Sequence, residues 1–442
     1  MAQGNDKSTL AIEEYPPLTY NHTPSSIAAL IKHITSTSPS IAHSILPEEL
    51  SPKSSTNHSH ALPSQIPKAI FYPSSTEDTS IILKACHERR VAATAYSGGT
   101  SLPGSLTNSR GGIAMSCSGT NAYRYGTMKE WVISLTAVLA DGTVLKTRNR
   151  PRKSSAGYDL THLIIGSEGT LALVTEAVLK VTPLPQNLHV GKATFPSMQA
   201  GVDTAINILR SGHLLEAIEL ADEQAIKSIN HSKLAKEYLE EMPTLFLKFA
   251  GSKETVSSQI DFVKKVCKQN GGLDFEASDD KDRIAIIWGA RKCIGNALVT
   301  MKRHPSDIFI NTDAAVPISA MASLVEQTNR IIASQSPDWF CASVGHVGDG
   351  NVHTAIVCPA GDKAKAEQVL VDVQRLALRL EGTITGEHGV GLKLREMLVE
   401  EVGEVGVGVM RRVKASLDPR GILNPDKVVQ LEIENVGRLE KL

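Results

Sequence analysis

The chain has 442 residues, 41 % of them hydrophobic and 21 % charged, with a formal net charge of −1. At roughly 100–200 residues per domain, this predicts two or three domains with a sizeable core. The near-neutral balance excludes recruitment to nucleic acid or an anionic membrane by bulk charge, and no apolar run approaches the ~18–20 residues of a membrane span.

Residues 1–64 are rich in Ser, Thr, Pro and His. A helix is predicted there over 25–34, and 51–64 reads as a low-complexity mobile loop. The N-terminal MAQGNDKSTLAIEEYPPLTY is neither Arg-rich nor acid-poor and does not read as a transit peptide. Order is predicted from Pro67 onward. A short strand over 69–72 precedes a helix opened by Ser74, with Glu77 completing a capping-box pattern. A strand over 91–96 then ends in a Gly-rich turn. Strands over 131–140 and 143–148 flank Asp141-Gly142, a strong hairpin signal. A β-rich run continues to Pro183 and Pro185, which mark a boundary. Beyond Leu188, strands at 190–195, 217–220, 244–249 and near Phe275 alternate with helices such as 198–210 and 253–268. That alternation predicts a ferredoxin-like or duplicated α+β layer. The last strands, 339–346 and 352–357, are followed by helices up to Asn424. The cysteines, Cys86, Cys117, Cys267, Cys293, Cys341 and Cys358, are scattered without a C-x-x-C pair, which points to reduced thiols filling the core.

Four segments can carry chemistry. The first is Ser97-Gly98-Gly99-Thr100-Ser101-Leu102-Pro103-Gly104, whose N–H groups and hydroxyls suit a pyrophosphate. The second, Ser118-Gly119-Thr120-Asn121 up to Gly126, is small and polar, then aromatic and basic. The third is Gly166-Ser167-Glu168-Gly169-Thr170. Each also reads as a plain loop, and no G-x-G-x-x-G or Walker pattern is present. The fourth is stronger. His346 and His353 sit in His-Val-Gly-Asp-Gly-Asn-Val-His between two strands, and Glu387 and His388 sit in Thr-Gly-Glu-His-Gly. Two imidazoles and a carboxylate form a ligand set for a divalent transition metal with open positions. His388 cannot easily point the same way as Glu387, which leaves it to act as a base or bind substrate. Arg291, on a predicted helix, is either a solvated cation or a fork for a substrate carboxylate.

Together these segments resemble the flavin-linked oxidases of the vanillyl-alcohol-oxidase superfamily, the PCMH-type FAD-binding proteins. Within it they are most similar to the cytochrome-linked D-lactate dehydrogenase branch. The resemblance runs from about residue 67 to the C-terminus. It is most specific over 117–185, which contains NAYRYGTMKEW, RPRKSSAGYDLTHL and GSEGTLALVTEAVLKVTPLP. It implies an α+β fold in which a lead-in over 1–64 precedes a PCMH-type FAD-binding domain over 65–186. A C-terminal α+β substrate or cap domain of ferredoxin-like character follows over 187–442. By the same resemblance Ser97, Gly98, Gly99, Thr100, Ser101 and Gly104 hold the FAD pyrophosphate. Ser118, Gly119, Thr120, Asn121 and Gly126 contact the flavin, and Glu168, Gly169, Thr170 and Asn424 supply further contacts. His346, His353 and Glu387 match the ligands of a divalent metal, Zn or Mn. His388 matches the base that takes the hydroxyl proton, and Arg291 the carboxylate-binding arginine. The implied reaction is oxidation of D-lactate to pyruvate, with hydride to FAD N5 and electrons to cytochrome c, in the mitochondrion; the cytosol is the alternative. D-2-Hydroxyglutarate or glycolate could replace D-lactate.

The chain departs from the family near 115/116. Only residues 107–116 separate the first two glycine-rich segments, where the family has several strands and helices. That is too short for two strands and a helix at about 5–6 residues per strand and three helical turns. An internal deletion of the FAD domain is therefore expected. It makes an inactive, poorly folded variant the competing reading. A zinc hydrolase built on the same histidines is a third.

Overall fold

A computed structural model describes residues 18–53, 66–94 and 119–431. Most of the loop expected over 51–64 lies outside the described residues. So do the end of the strand expected over 91–96, the turn carrying Ser97, Gly98, Gly99, Thr100, Ser101 and Gly104, and Ser118. The chain forms two compact units. One comprises Met1–Cys117, Met128–Val181 and His388–Leu442, the other Ser118–Thr127 and Thr182–Glu387.

In the first unit, Thr23 caps the helix Pro24–Thr37 by accepting the Ser26 N–H. Ile27, Leu30 and Ile34 share one helical face and share a core with Ile82, Leu83 and Cys86 of the helix Thr76–Arg89. That second helix starts one residue later than the sequence pattern indicated. Ser75 is the cap, accepting the Asp78 N–H at 3.0 Å, and Asp78 accepts in return from the Ser74 N–H and hydroxyl. The reciprocal partner is thus Asp78, not Glu77, because its carboxylate reaches back over the helix start.

Strand β1 (Ala42–Ser44) pairs antiparallel with β2 (Ile70–Tyr72). Strands β3 (Val132–Val138), β4 (Val144–Lys146) and β5 (Leu173–Leu179) form an antiparallel sheet in the order β4-β3-β5. The β3–β4 hairpin turns on Gly142 at φ +87, where a side chain would meet Lys84 Cβ at 2.7 Å. The C-terminal segment returns to this unit. Leu423 bridges Ala93 in parallel, the only pairing made by the described part of the strand expected over 91–96. Lys414, buried on the helix Arg395–Leu417, donates to the carbonyls of Thr170 at 2.7 Å and Leu423 at 2.8 Å, and to Asp418. Three acceptors around one ammonium offset its lost hydration.

The second unit is built on eight strands: β6 (His189–Thr194), β7 (Ala217–Ala221), β8 (Thr244–Phe249), β9 (Asp274–Ser278), β10 (Ile308–Asn311), β11 (Ala314–Ala315), β12 (Phe340–His346) and β13 (Asn351–Cys358). They pair antiparallel in the order β10-β13-β12-β7-β8-β6-β9, with β11 also on β13. The period-2 alternation of each strand sends side chains to two cores. Ile218, Leu220, Leu245 and Leu247 pack under the helices Met198–Arg210, Lys253–Gln269 and Met321–Gln335. Ala217, Ala221, Phe246 and Ala342 pack under Glu223–Ser232 and Lys281–Val299. Burial on both faces explains why these strands read as almost unbroken apolar runs.

The units do not follow the linear division at 186/187. Ser118–Thr127 joins the second unit, and the chain from His388 joins the first. Specific contacts hold the first of these crossings. The Tyr125 hydroxyl donates to Glu216 at 2.6 Å, Arg124 Nη1 donates to the Leu214 carbonyl at 3.2 Å, and the Tyr123 ring lies where a Gly348 side chain would be. The Lys414 and Leu423 contacts above hold the second. Among the described residues the cysteines are free thiols, with Cys86, Cys267 and Cys358 in core clusters. Among those same residues, no helix is long and apolar enough to cross a membrane.

Phe246 is fully buried in the core that also holds Trp288. Phe246→Ala is expected to destabilise the second unit by about 3–5 kcal/mol. The measure is the urea midpoint followed by tryptophan fluorescence. A loss under about 1 kcal/mol would contradict close packing at this site.

Candidate metal centre

The pleat of the second unit's sheet decides which polar side chains meet. Glu219 lies between Ala217 and Ala221 on β7, on the face covered by Glu223–Ser232 and Lys281–Val299. His346 continues that face of β12 after Ala342 and Val344, and His353 shares it on β13 with Ala355. His346 stands opposite Asn351, and His353 opposite Val344. The two imidazoles are therefore diagonal neighbours, with centroids 5.4 Å apart and planes at 85°. The intervening turn requires Gly350 at φ +74, where a Cβ would sit 2.1 Å from the Val316 carbonyl oxygen.

Asp313 delivers the third group. Its Oδ2 accepts from the Thr385 hydroxyl at 2.7 Å and from the Glu387 N–H at 2.9 Å, and its carbonyl accepts the Gly386 N–H at 2.8 Å. Gly386 admits Asn351 to within 2.1 Å of where its Cβ would be. Glu387 is thereby fixed with Oε1 at 3.7 Å from His346 Nε2 and 3.2 Å from His353 Nε2. Two ligands each about 2.1 Å from a single ion stand roughly 3–3.5 Å apart. The 3.2 Å spacing of His353 and Glu387 falls in that range and the 3.7 Å of His346 and Glu387 lies just beyond it, while the imidazole–carboxylate chemistry suits a divalent transition metal. Asp313 joins His353 and Glu387 in a group whose ligand atoms lie within 4.8 Å of one another, a group that does not include His346.

Behind the ligand atoms stand two carboxylates that the motifs did not indicate. Both oxygens of Glu219 are 2.8 Å from His346 Nδ1, and Asp313 Oδ1 is 3.5 Å from His353 Nδ1. Burial opposes a charge on His346, but Glu219 and Glu387 outweigh it and push its pKa up to about 10. The available signal for Glu219 was its place in Ala-Ile-Glu-Leu-Ala, an acid breaking an apolar strand on its buried face. Arg291, on Lys281–Val299, is not a solvated cation. Its Nη2 and Nε donate to Glu219 Oε2 at 2.6 and 3.1 Å, and its side chain is 11 % exposed. His388 follows Glu387 directly and is half-buried.

Gly119, Thr120, Asn121 and Gly126 lie in the segment that joins the second unit, as a short turn and helix closed by Gly126 at φ +75. In the first unit, Glu168 adopts φ +52 and is buried. Its carboxylate accepts the N–H groups of Val390 at 2.7 Å and Gly391 at 3.0 Å, and its carbonyl accepts from Asn424 Nδ2 at 2.7 Å. The Thr170 hydroxyl donates to the Ser167 carbonyl at 2.7 Å. Gly169, at φ +72, completes the turn between them.

Residues 184–428 match the family described as "FAD linked oxidases, C-terminal domain". The chain belongs to the FAD-linked oxidases. It is 37 % identical over 439 residues to the "D-lactate dehydrogenase [cytochrome], mitochondrial" of Kluyveromyces lactis, covering 85 % of this chain and 76 % of that one. It is 37 % identical over 441 residues to the "D-lactate dehydrogenase [cytochrome] 1, mitochondrial" of Saccharomyces cerevisiae, covering 85 % and 75 %. The first alignment spans 439 positions yet takes up 85 % of 442 residues, so the relative has residues within it that lack a counterpart here. The substrate-bound crystal structure of p-cresol methylhydroxylase superposes with a TM-score of 0.69 at 12 % identity, covering 95 % of this chain and 100 % of the other. The fold is thus the α+β architecture of the PCMH and vanillyl-alcohol-oxidase superfamily. The chain is an oxidoreductase by family, with FAD as the family's cofactor. The residues present fit such a group in part. Ser167 Oγ and Asn424 Oδ1 are buried in the first unit without a hydrogen-bond partner, whereas the carboxylate of Glu168 is taken up by the chain itself.

Burial pushes the Glu168 pKa from an ordinary 4.5 up to about 7, against the pull of the Val390 and Gly391 N–H groups. Between those values the folded chain holds a proton that the unfolded chain has released, so stability falls as pH rises through this window. Urea midpoints measured from pH 4.5 to 7 should decline, and Glu168→Gln should make the decline shallower. Asp222, also raised to about 7 by burial, keeps part of the slope in the variant. An unchanged slope in Glu168→Gln would count against a buried, proton-holding Glu168.

Proposed function

We propose that the chain is an FAD-dependent dehydrogenase of D-2-hydroxy acids, that its substrate is D-lactate, and that its product is pyruvate. The observation that carries this is the convergence of His346 Nε2 and His353 Nε2 on Glu387 Oε1, in a chain whose relatives bear that activity in their names. Within this reading His346, His353 and Glu387 hold Zn or Mn. The metal supplies Lewis acidity to a bound hydroxyl, and FAD supplies the hydride acceptor. His388 takes the hydroxyl proton on its imidazole. Arg291 orients the substrate carboxylate through the guanidinium edge that Glu219 leaves open, since Nε and Nη2 are engaged. Ser97, Gly98, Gly99, Thr100, Ser101, Gly104, Ser118, Gly119, Thr120, Asn121, Gly126, Glu168, Gly169, Thr170 and Asn424 make up the proposed FAD-binding set. Cytochrome c is the proposed electron acceptor and the mitochondrion the proposed compartment, following the relatives' names. The order β9-β6-β8-β7 with intervening helices supports a ferredoxin-like character for the cap.

A second reading has its own support. Residues of the relative are missing from this chain within the aligned span, and the β4-β3-β5 sheet leaves Val144 and Leu179 exposed. On that reading the FAD domain is shortened and the chain holds flavin weakly or not at all.

Flavin absorbance and D-lactate turnover of the purified chain separate the two. Stoichiometric flavin with D-lactate turnover above that on D-2-hydroxyglutarate and glycolate supports the first. Metal-loaded but flavin-free protein supports the second. In flavin-loaded protein, His388→Asn should lower kcat by about 10²–10⁴. An unchanged kcat would remove His388 as the base.

A further inference from the structure

We infer that Glu219 is the positioning residue of the metal centre: one buried carboxylate that sets the tautomer of His346 and anchors Arg291 at the same point. The inference rests on the metal reading above. Nothing in the sequence motifs assigns Glu219 a role, and its side chain is 1 % exposed in the middle of β7.

Three N–H donors converge on this carboxylate. His346 Nδ1 is 2.8 Å from each oxygen, and Arg291 Nη2 and Nε are 2.6 and 3.1 Å from Oε2. A carboxylate cannot donate, so it selects the His346 tautomer that carries hydrogen on Nδ1. With a metal ion in place of the Nε2 proton, Nε2 is the ligand atom, on the side of Glu387 Oε1 and the His353 ring. The same carboxylate binds one edge of the Arg291 guanidinium, so the open edge faces away from it. The metal ligand and the carboxylate-binding cation are thereby tied to a single atom group. Their separation is set by the pleat of β7 and β12 and by the helix Lys281–Val299, not by loops.

Glutamine at this position keeps the shape and breaks the logic. Its single oxygen faces the two Arg291 donors, which turns its NH₂ toward His346. His346 must then accept on Nδ1 and carry its hydrogen on Nε2, the atom the metal requires.

The test uses the full-length chain with Zn²⁺ and with Mn²⁺, titrated against a competing chelator, and the imidazole ¹⁵N–¹H correlations of His346. In wild-type protein His346 is expected as the Nδ1–H tautomer with metal bound. Glu219→Gln is expected to weaken metal binding about 10–100-fold in protein that still folds, with a lowered thermal midpoint from the lost charge opposite Arg291. Equal affinity in Glu219→Gln overturns the inference while leaving the metal reading intact. A wild-type chain that takes up neither ion overturns the metal reading and this inference with it. If the variant does not fold, the wild-type tautomer decides alone, and an Nε2–H signal on metal-bound His346 overturns the inference.

Discussion

The second unit depends on how much charge a doubly covered sheet can bury at its centre. Glu219, His346 and His353 lie at strand positions where neighbours on the same face are Ala, Val or Phe, and buried Asp313 lies just before β11. An isolated carboxylate there would cost several kcal/mol and would take up a proton instead. Each of these carboxylates is instead surrounded by donors: Arg291 and His346 around Glu219, and Asn351, Thr385 and the Glu387 N–H around Asp313. Hydrogen bonds thus hold both carboxylates in place, and the Nε2 atoms of His346 and His353 face Glu387 Oε1.

Backbone conformation enforces the same result. Gly350 turns β12 into β13 at a φ that L side chains rarely adopt, and Gly386 lets Asn351 approach where a methyl group would stand. These glycines act on distance rather than chemistry. A side chain at either position would move the imidazoles and the carboxylate apart by more than the tolerance of a metal–ligand bond.

Much of this was legible in the sequence, and for identifiable reasons. Strands β7, β8 and β12 and the helix Met198–Arg210 lie almost to the residue where the sequence predicts them, because each is a predominantly apolar or amphipathic run bounded by polar turns. His346, His353 and Glu387 stood out because histidines crowded by glycine are rare on plain turns. Glu219 and Asp313 are not legible, since an acid inside a strand, or beside one, acquires meaning only from the distant groups packed against it. Arg291 was undecidable for the same reason, until the ion pair with Glu219 removed it from solvent. The grouping of Ser118–Thr127 with the second unit is not legible in the sequence, because Tyr125 and Arg124 find Glu216 some ninety residues on. No local pattern reports a contact of that range.

The path of the chain through its two units has a consequence for synthesis. The second unit is nearly continuous from Thr182 to Glu387, so it can condense as it leaves the ribosome. The first unit cannot. Its Ala93 bridge, its Glu168 clamp and its Thr170 carbonyl all wait for Leu423, Val390 and Lys414. Those three contacts form only once the segment from Val390 to Leu423 has been made. The first unit is completed only after the unit inserted within it has already folded.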